Sequence, residues 1–290
     1  MADSPRQPLG QPPFRRLGPL GPESPVVLSV PHAGRAYSDA LLAAARLPRR
    51  RLETLEDRLV DRLIWRAVAA GAVAIVAEAP RAEIDLNRDE RELDPALVVP
   101  RPERSELFES ARTRGGLGLV PDRIAGAGPI WRQRLSAQEL ARRVETIHRP
   151  YHRAIENALS AAKQRFGIAV LLDCHSMPPR GGGAASVVLG DRHGASSAPE
   201  LTEAAERMVV EAGFAVARNA PYAGGHVTER HGRPAENVHA LQIEIDRALY
   251  LGPDLRSPGP RFDPVSRLIA SVAEALVRQA LEPPAAIAAE

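Results

Sequence analysis

Two histidines in this chain each stand directly after a short apolar run. His32 follows the run Val26–Val30 by one proline, and His175 closes the run that begins at residue 168. Runs of about five β-branched and aliphatic residues predict strands buried on both faces, as in a parallel sheet. In open α/β sheets the ligand sites lie at the carboxyl ends of such strands. Two imidazoles delivered to one sheet edge therefore predict two ligands of a single metal ion.

A carboxylate is the expected third ligand, because a hydrolytic zinc site commonly combines two histidines with one acid and leaves a position open for water. The candidates in the sequence are Glu56, Asp57 and Asp61. A helix is predicted from Asp57 to Ala70, and on it Asp57 and Asp61 share a face one turn apart. We choose Asp57 as the ligand and expect Asp61 to contact the ligands without binding the metal. Glu56 and Asp61 stay open as alternative ligands. An acid at a helix N-terminus is also favoured by the helix dipole alone, so the position of Asp57 has an alternative explanation that involves no metal.

Asp173 and Cys174 precede His175, and strand geometry separates their roles. Asp173 lies two residues before His175 and therefore on the same side of the strand, where it can orient a histidine without binding the metal itself. Cys174 points to the opposite face. We therefore interpret Cys174 as a small buried hydrophobic residue rather than as a nucleophile paired with the histidine.

Glu244 lies in a run of alternating apolar and charged residues, 241–246. The alternation puts Gln242, Glu244 and Asp246 on one face of a strand. In an outer strand that face would simply be solvated. If the strand borders the metal, Glu244 can take a proton from the water that the metal activates and later pass it to the leaving amine.

Asn87 and Arg88 place an amide beside a guanidinium, shortly after Asp85. Arginine binds carboxylates through two parallel hydrogen bonds, and an adjacent asparagine adds a donor to the same oxygens. The pair predicts a substrate with a free α-carboxylate, and the alternative is a surface arginine within a charged run.

The segment 219–237 is polar and rich in glycine, which is typical of a mobile lid. It carries His226, which can donate a hydrogen bond to an oxyanion or can be an ordinary surface histidine. The sequence alone assigns no role to this segment or to the glycines 181–183.

The order of elements that must position these residues predicts an α/β fold. Strands alternate with helices, which implies a mixed, mostly parallel sheet between two layers of helices. We expect a flexible proline-rich segment 1–25, a single domain 26–282 and a flexible tail 283–290. The predicted strands cover 26–30, 72–77, 168–173, 186–189, 214–217 and 239–246, and the predicted helices cover 39–46, 57–70, 136–166 with a division near Pro150, 198–212 and 263–281.

Composition limits the partners of this chain of 290 residues. The formal net charge is only +2, and the basic residues are interleaved with acids, which argues against nucleic-acid binding. Cys174 is the single cysteine, so a reducing, cytoplasmic compartment is expected. We find no apolar leader, no run of about 18 apolar residues and no glycine-rich nucleotide motif, so we predict no secretion, no membrane span and no nucleotide cofactor. The oligomeric state is open.

Six ordered motifs resemble the N-formylglutamate amidohydrolase (deformylase) family. They span roughly residues 26–250, so the resemblance covers most of the chain. The motifs are Val30-Pro31-His32-Ala33-Gly34, Asp57-Arg58-Leu59-Val60-Asp61-Arg62-Leu63, Ile84-Asp85-Leu86-Asn87-Arg88, Asp173-Cys174-His175-Ser176, Tyr222-Ala223-Gly224-Gly225-His226 and Leu241-Gln242-Ile243-Glu244-Ile245-Asp246-Arg247-Ala248-Leu249-Tyr250.

The resemblance implies a three-layer α/β/α sandwich similar to zinc carboxypeptidases, one Zn²⁺ ion and hydrolysis of an N-formyl amide. It implies a small-molecule N-acyl amino acid as substrate, with N-formyl-L-glutamate as the first candidate. The residues carried over are the zinc ligands His32, Asp57 and His175, the catalytic Glu244 with Arg81 or His226 as oxyanion donor, and the substrate-binding Asn87, Arg88, Tyr222 and Arg247.

Two departures from the family pattern leave the acyl-amino acid open. Ala33 stands where the family often has serine, and an acidic segment, 89–95, follows Asn87-Arg88 where histidine-degrading members tend to have a proline-containing one. An amidohydrolase or carboxypeptidase-like enzyme on another N-acyl amino acid or peptide is the nearest alternative. A non-catalytic carboxylate-binding protein on the same fold is the alternative of another class.

Overall fold

The computed structural model describes residues 12–181 and 184–282, and a mixed β-sheet forms its centre. Within these residues the strands are β1 (Phe14–Leu17), β2 (Val26–Val30), β3 (Val73–Ala77), β4 (Val98–Val99), β5 (Arg123–Ile124), β6 (Gly128–Pro129), β7 (Leu135–Ser136), β8 (Ala169–Met177), β9 (Val187–Gly190), β10 (Val216–Arg218) and β11 (Val238–Asp246).

The main sheet has the order β1-β3-β2-β8-β11-β9-β10 in the part of the chain that the structure describes. β1 runs antiparallel to β3 and β9 runs antiparallel to β11, while the other neighbours are parallel. The short strands pair separately, β4 with β7 and β5 with β6. The predicted mixed, mostly parallel sheet is confirmed.

Helices cover both faces of this sheet. They are α1 (Asp39–Ala44), α2 (Arg49–Leu52), α3 (Val60–Leu63), α4 (Trp65–Ala69), α5 (Ala111–Arg114), α6 (Ala137–Arg143), α7 (Arg149–Phe166), α8 (Pro199–Glu211), α9 (His226–His231), α10 (Arg247–Tyr250) and α11 (Phe262–Leu281). No helix among these is long and apolar enough to cross a bilayer, for the residues that the structure describes.

Alternation along β2 shows how the two helical layers share the sheet. Val26, Leu28 and Val30 pack into an apolar cluster with α8 and α11, whereas Val27 packs on the opposite face with α7. Because both faces are buried, the strand reads as a continuous apolar run in the sequence. The predicted three-layer α/β/α arrangement is therefore confirmed.

The parallel register of β8 and β11 aligns the two strands that carry most of the predicted chemistry. Asp173 lies opposite Gln242, and His175 lies opposite Glu244. β8 continues pairing as far as Met177, so His175 lies within the strand and not after its end. The prediction that this strand stops before the histidine is wrong, because pairing with β11 extends it.

The helix predicted over 57–70 is divided into the two short helices α3 and α4. Leu59 caps α3 in the left-handed conformation, with φ of 64°. Asp57 therefore precedes the helix, and the expected common face of Asp57 and Asp61 is not formed. The break turns the Asp57 carboxylate back toward β2, as its backbone N–H donates to the His32 carbonyl at 2.9 Å.

The division predicted near Pro150 is confirmed. A π-helical turn, Val144–His148, separates α6 from α7, and Pro150 lies in the first turn of α7. The helical backbone continues through this turn, where the Arg149 N–H donates to the Val144 carbonyl, and the wider π turn accommodates Pro150, which has no N–H to donate. The turn places His148 close to His152.

Two segments are more regular than the sequence predicted. Phe14–Leu17, inside the expected flexible lead-in, forms edge strand β1, and the predicted lid 219–237 contains α9. The predictions for residues 1–11, 182–183 and 283–290 concern positions outside the described residues.

Candidate active site

Three side chains from separate parts of the chain meet at the end of β2. His32 Nδ1 lies 3.3 Å from Asp57 Oδ2, and His175 Nδ1 lies 3.0 Å from the same oxygen. The two Nδ1 atoms are 3.1 Å apart. All three residues are almost completely buried. The predicted ligand set is thus brought together in space.

Gly34 allows the turn that follows His32 to approach β3 closely. A Cβ atom at this position would lie 1.9 Å from the Ala79 carbonyl oxygen. Any side chain at residue 34 would therefore push the two segments apart. The glycine fixes how near the His32 imidazole stays to the sheet.

The outer nitrogen of each imidazole faces a buried carboxylate. His32 Nε2 lies 2.7 Å from Asp85 Oδ1, and His175 Nε2 lies 2.8 Å from Asp173 Oδ2. A carboxylate accepts hydrogen bonds, so each Nε2 donates its N–H outward. The lone pair of each imidazole therefore lies on Nδ1, directed at the shared point.

This donor set fits a divalent cation. Two imidazole lone pairs and a carboxylate oxygen at 3.0–3.3 Å from one another repel unless a positive charge lies between them. Ligands about 2.0–2.2 Å from a tetrahedral metal are themselves separated by about 3.3 Å. One proton can bridge two of these atoms, whereas a cation satisfies all three and leaves a fourth position open.

The charges around the cluster shift the pKa values of its members. Burial alone would raise the pKa of Asp57, but the adjacent His175 and His32 hold it well below its usual range when no cation is bound. Burial likewise lowers the pKa of His175, and the Asp173 carboxylate outweighs this and raises it well above normal. Burial opposes ionisation of Asp85 too, and Arg81 and Arg88 keep its pKa well below normal.

The second oxygen of Asp57 is held by two neighbours. Ser176 Oγ donates to Asp57 Oδ1 at 3.2 Å, and Arg247 Nη2 donates to the same oxygen at 3.0 Å. Arg247 Nε also donates to Ser176 Oγ at 3.1 Å. The structure thus places Arg247, predicted to bind substrate, where it orients the Asp57 carboxylate.

Glu244 lies beside this cluster on the adjacent strand. Gln242 Nε2 donates to Glu244 Oε1 at 3.0 Å, and Gln242 Oε1 in turn accepts from the Gly225 backbone N–H at 3.0 Å. Burial raises the pKa of Glu244 to about 7, against the favourable charge of His175. A carboxyl group with a pKa near neutrality can both accept and donate a proton under physiological conditions.

Asn87 is held with its amide NH₂ group toward the cluster. Its Oδ1 accepts from the Val227 backbone N–H at 2.8 Å, which fixes the orientation of the amide, and its Nδ2 lies 3.2 Å from His175 Nε2. Because His175 Nε2 already donates to Asp173, the Asn87 NH₂ group finds no acceptor there. Its N–H groups are available to a ligand.

Arg88 is buried with one nitrogen unused. Its Nε donates to the Leu117 carbonyl and its Nη1 donates to the Asn87 carbonyl. Nη2 has no hydrogen-bond partner among the described residues and lies 3.8 Å from Asp85 Oδ2. A buried guanidinium N–H without an acceptor is costly unless a ligand supplies one.

Arg81 and Tyr222 lie near the same centre. Arg81 Nε donates to Asp85 Oδ2 at 2.9 Å, and the charge of Glu244 also acts on its guanidinium. Burial raises the pKa of Tyr222, and the nearby Glu244 carboxylate raises it further. Both residues therefore lie within electrostatic range of Glu244.

The other predicted site residues are placed elsewhere. Glu56 accepts from Tyr37 and Arg58, and Asp61 accepts from Arg35 at 2.6 Å. His226 packs against the rings of two further histidines, in the cluster considered below. Of the three acids that the sequence left open as ligand, the structure brings only Asp57 to the histidines, among the described residues.

Three residues of the site were not singled out from the sequence. Each forms a side-chain hydrogen bond within the site: Asp85 with His32, Ser176 with Asp57 and Gln242 with Glu244. Strand alternation already placed Gln242 on the face of Glu244, which was a usable signal. Asp85 and Ser176 have no comparable signal, because their partners are distant in the chain.

We expect Asp173→Asn to weaken binding of a divalent cation by about 10- to 100-fold, since loss of the outer carboxylate lowers the basicity and the order of a ligating histidine. Cation titration of chelator-treated protein measures this effect. Asp191→Asn is the matched control, because Asp191 is also buried but bonds Thr202 and Asn219. Equal cation affinity in Asp173→Asn and wild type would show that the 2.8 Å contact does not support the site.

The chain matches the family model described as N-formylglutamate amidohydrolase over residues 24–251. It is 32% identical over 235 residues to an N-formylglutamate deformylase of Pseudomonas putida, covering 78% of this chain and 82% of that protein. It is 31% identical over 267 residues to an N-formylglutamate deformylase of Pseudomonas aeruginosa, covering 89% and 91%.

A solved structure gives the same likeness in three dimensions. The crystal structure of an N-formylglutamate amidohydrolase from Ralstonia eutropha JMP134 superposes with a TM-score of 0.83 at 35% sequence identity, covering 92% of this chain and 97% of that one. A gene product of Agrobacterium tumefaciens, 16% identical, shares the fold with a TM-score of 0.64.

Proposed function

This chain belongs to the N-formylglutamate amidohydrolase family, and we propose that it hydrolyses N-formyl-L-glutamate to L-glutamate and formate. The observation that carries the proposal is the meeting of His32, Asp57 and His175 beside Glu244. Relatives named N-formylglutamate deformylase support the substrate. The site supplies cation ligands and a proton acceptor, which together are what hydrolysis of an amide requires.

We propose zinc as the ion that His32, Asp57 and His175 hold. Two imidazoles and one carboxylate, with a position left open, are typical ligands of a hydrolytic zinc site. The ion supplies Lewis-acid chemistry, in which it polarises an amide carbonyl and makes water more acidic. Asp85 and Asp173 keep the two imidazoles in the tautomer that offers Nδ1.

Asn87 and Arg88 are proposed to bind the α-carboxylate of the substrate. The unused Asn87 NH₂ group and the unpaired Arg88 Nη2 are two donors on neighbouring residues. A carboxylate would satisfy both, and the charge of Arg88 makes such bonds stronger than neutral ones. We propose that Tyr222, whose pKa the charge of Glu244 helps to raise, also contacts the substrate.

Glu244 moves the proton in the proposed reaction. Because Gln242 holds Oε1, we assign the transfer to Oε2, which takes a proton from the attacking water as the water oxygen bonds to the formyl carbon. The carbon–nitrogen bond then breaks, and Oε2 returns the proton to the departing nitrogen. We propose Arg81 as the donor of a hydrogen bond to the developing oxyanion. His226 is the alternative donor that the sequence predicted.

Formate release from N-formyl-L-glutamate, measured with metal analysis of the same preparation, tests the function. A panel of formyl-, acetyl- and succinyl-glutamate with a short peptide separates a deformylase from an amidohydrolase of another substrate. Substrate binding without turnover would favour the non-catalytic alternative. The cytoplasmic location and a role in histidine degradation remain proposals based on the sequence.

Arg88→Lys is expected to raise KM for N-formyl-L-glutamate about 10- to 100-fold with a smaller change in kcat, because a charge-assisted hydrogen bond contributes about 1.5–3 kcal/mol. Steady-state kinetics measure both constants. Arg91→Lys is the matched control, as the Arg91 side chain is exposed and pairs with Asp89. A drop in kcat at unchanged KM would show that Arg88 does not hold the substrate in its ground state.

A further inference from the structure

A second group of histidines lies on the same side of the sheet, behind the segment that carries Asn87. His148 ends the π-helical turn, His152 lies in the first turns of α7, and His226 begins α9. The ring centroids of His148 and His152 are 4.5 Å apart, and those of His152 and His226 are 5.3 Å apart. One potential ligand atom from each of the three lies within 4.8 Å of the other two.

Backbone carbonyls fix the tautomers of two of these rings. His148 Nε2 donates to the Arg88 carbonyl at 2.9 Å, and His152 Nε2 donates to the Leu86 carbonyl at 3.0 Å. A carbonyl oxygen only accepts, so both N–H groups are committed to the backbone. Each ring therefore has its lone pair on Nδ1.

Several nitrogens of this group have no hydrogen-bond partner. These are His148 Nδ1 and both ring nitrogens of His226, among the described residues. The Glu90 carboxylate lies 3.6 Å from His148 Nδ1, just beyond hydrogen-bond distance, and is a further negative group that a cation at this point would face. His148 is completely buried. Buried polar atoms are nearly always satisfied in folded proteins, so such a concentration of orphaned nitrogens at one point indicates a missing partner.

The missing partner is better described as a cation than as an anion. Burial lowers the pKa of His226 to about 4. Burial also holds the pKa of His152 well below normal. Neutral imidazoles with free lone pairs are electron-pair donors, and imidazole suits zinc, copper, iron and nickel.

We propose that His148, His152 and His226 bind a second divalent transition-metal ion, separate from the one held by His32, Asp57 and His175. Ligands of such an ion lie about 3.3 Å apart, so the rings close inward from their present spacing. His152 Nδ1 now accepts from His231 Nε2 at 2.9 Å. Binding exchanges that hydrogen bond for the metal.

The proposed ion would act on the substrate-binding segment through the backbone. Two of its ligands donate to the carbonyls of Leu86 and Arg88, on either side of Asn87. The third, His226, directly precedes Val227, whose N–H holds Asn87 Oδ1. An ion bound here would therefore link the backbone on either side of Asn87 to the start of α9, and both of these position the Asn87 amide.

Counting zinc in chelator-treated protein after equilibrium dialysis against Zn²⁺ tests the proposal. We expect two ions per wild-type chain and one in both His148→Gln and His226→Gln. Asp57→Asn is expected to lose the other ion and to keep this one. His193→Gln is the control, because His193 is exposed, and it should retain both ions.

A single ion in wild type that persists in His148→Gln and His226→Gln would overturn the proposal, as would equal loss of zinc in His193→Gln. His226→Gln keeps the test decisive if His148→Gln does not fold, since the His226 ring makes no hydrogen bond in the described part of the chain. Thermal unfolding followed by circular dichroism identifies a variant that has lost its structure. None of these readouts depends on catalytic activity.

Discussion

Replacing Glu244 with glutamine is expected to lower kcat for deformylation by about 10²- to 10⁴-fold, the usual contribution of a general base. The substitution keeps the shape of the side chain and removes only its capacity to accept a proton. Zinc content should not change, because Glu244 lies beside the three proposed ligands and is not one of them. Formate release and metal analysis on the same sample measure both expectations.

Glu92→Gln provides the matched control for this substitution. Glu92 is also a buried glutamate, but its carboxylate accepts from the Asp89 backbone N–H, away from the histidines. It should keep wild-type kcat. Turnover in Glu244→Gln at the rate of the control would remove Glu244 from the mechanism, and loss of zinc would make it a ligand instead.

The same variant is expected to be more stable than wild type above pH 7 when both are free of metal. Burial raises the pKa of Glu244 to about 7 in the folded chain, against 4.5 for a free glutamate. The folded state therefore binds more protons than the unfolded state between these values, and stability falls as the pH rises through this window. Glutamine removes this loss, so the difference in denaturation midpoint should be absent below about pH 4.5, grow as the pH rises through the window and be fully developed above pH 7.

Asp57→Asn is expected to abolish zinc binding and to lower activity by about 10³-fold or more, because a Lewis acid contributes several kcal/mol to such a reaction and each 1.36 kcal/mol is about tenfold in rate. The amide that replaces the carboxylate is neutral, so two imidazoles lose the negative charge that balances the cation. Metal analysis and kinetics together report the loss.

Glu56→Gln and Asp61→Asn test whether the neighbouring acids can replace Asp57. Glu56 is held by Tyr37 and Arg58, and Asp61 by Arg35. Both variants should keep their zinc and their activity. If Glu56→Gln loses its metal while Asp57→Asn retains it, the ligand set built on Asp57 is wrong.

The parts of the site that could be predicted from the sequence are those that depend on local periodicity. A buried parallel strand reads as an apolar run, so β2 and β8 were recognisable, together with the histidines at the ends of the two apolar runs. Side chains alternate along a strand, so Asp173 and His175 were expected on one face and Cys174 on the other. These relations hold within a few residues and need no knowledge of distant neighbours.

The tertiary structure was needed to support one acid as the proposed third ligand. From the sequence we chose Asp57, but Glu56 and Asp61 stayed open as alternatives because all three acids lie close together in the chain. The left-handed turn at Leu59 breaks the expected helix and frees Asp57 to turn toward His32. Propensity does not predict such a conformation for leucine, because it is imposed by packing around the site.

Sequence alone therefore determined the family, the α/β class and the two histidines, since each rests on short motifs or on the period of a strand. Only the tertiary structure decided how the strands pair, which acid joins the histidines, which carboxylates orient them and that a second group of histidines lies behind Asn87. The in-register pairing of β8 with β11 sets Glu244 beside His175 across some seventy residues of chain. Such contacts depend on how separate elements pack, and no local pattern of residues encodes them.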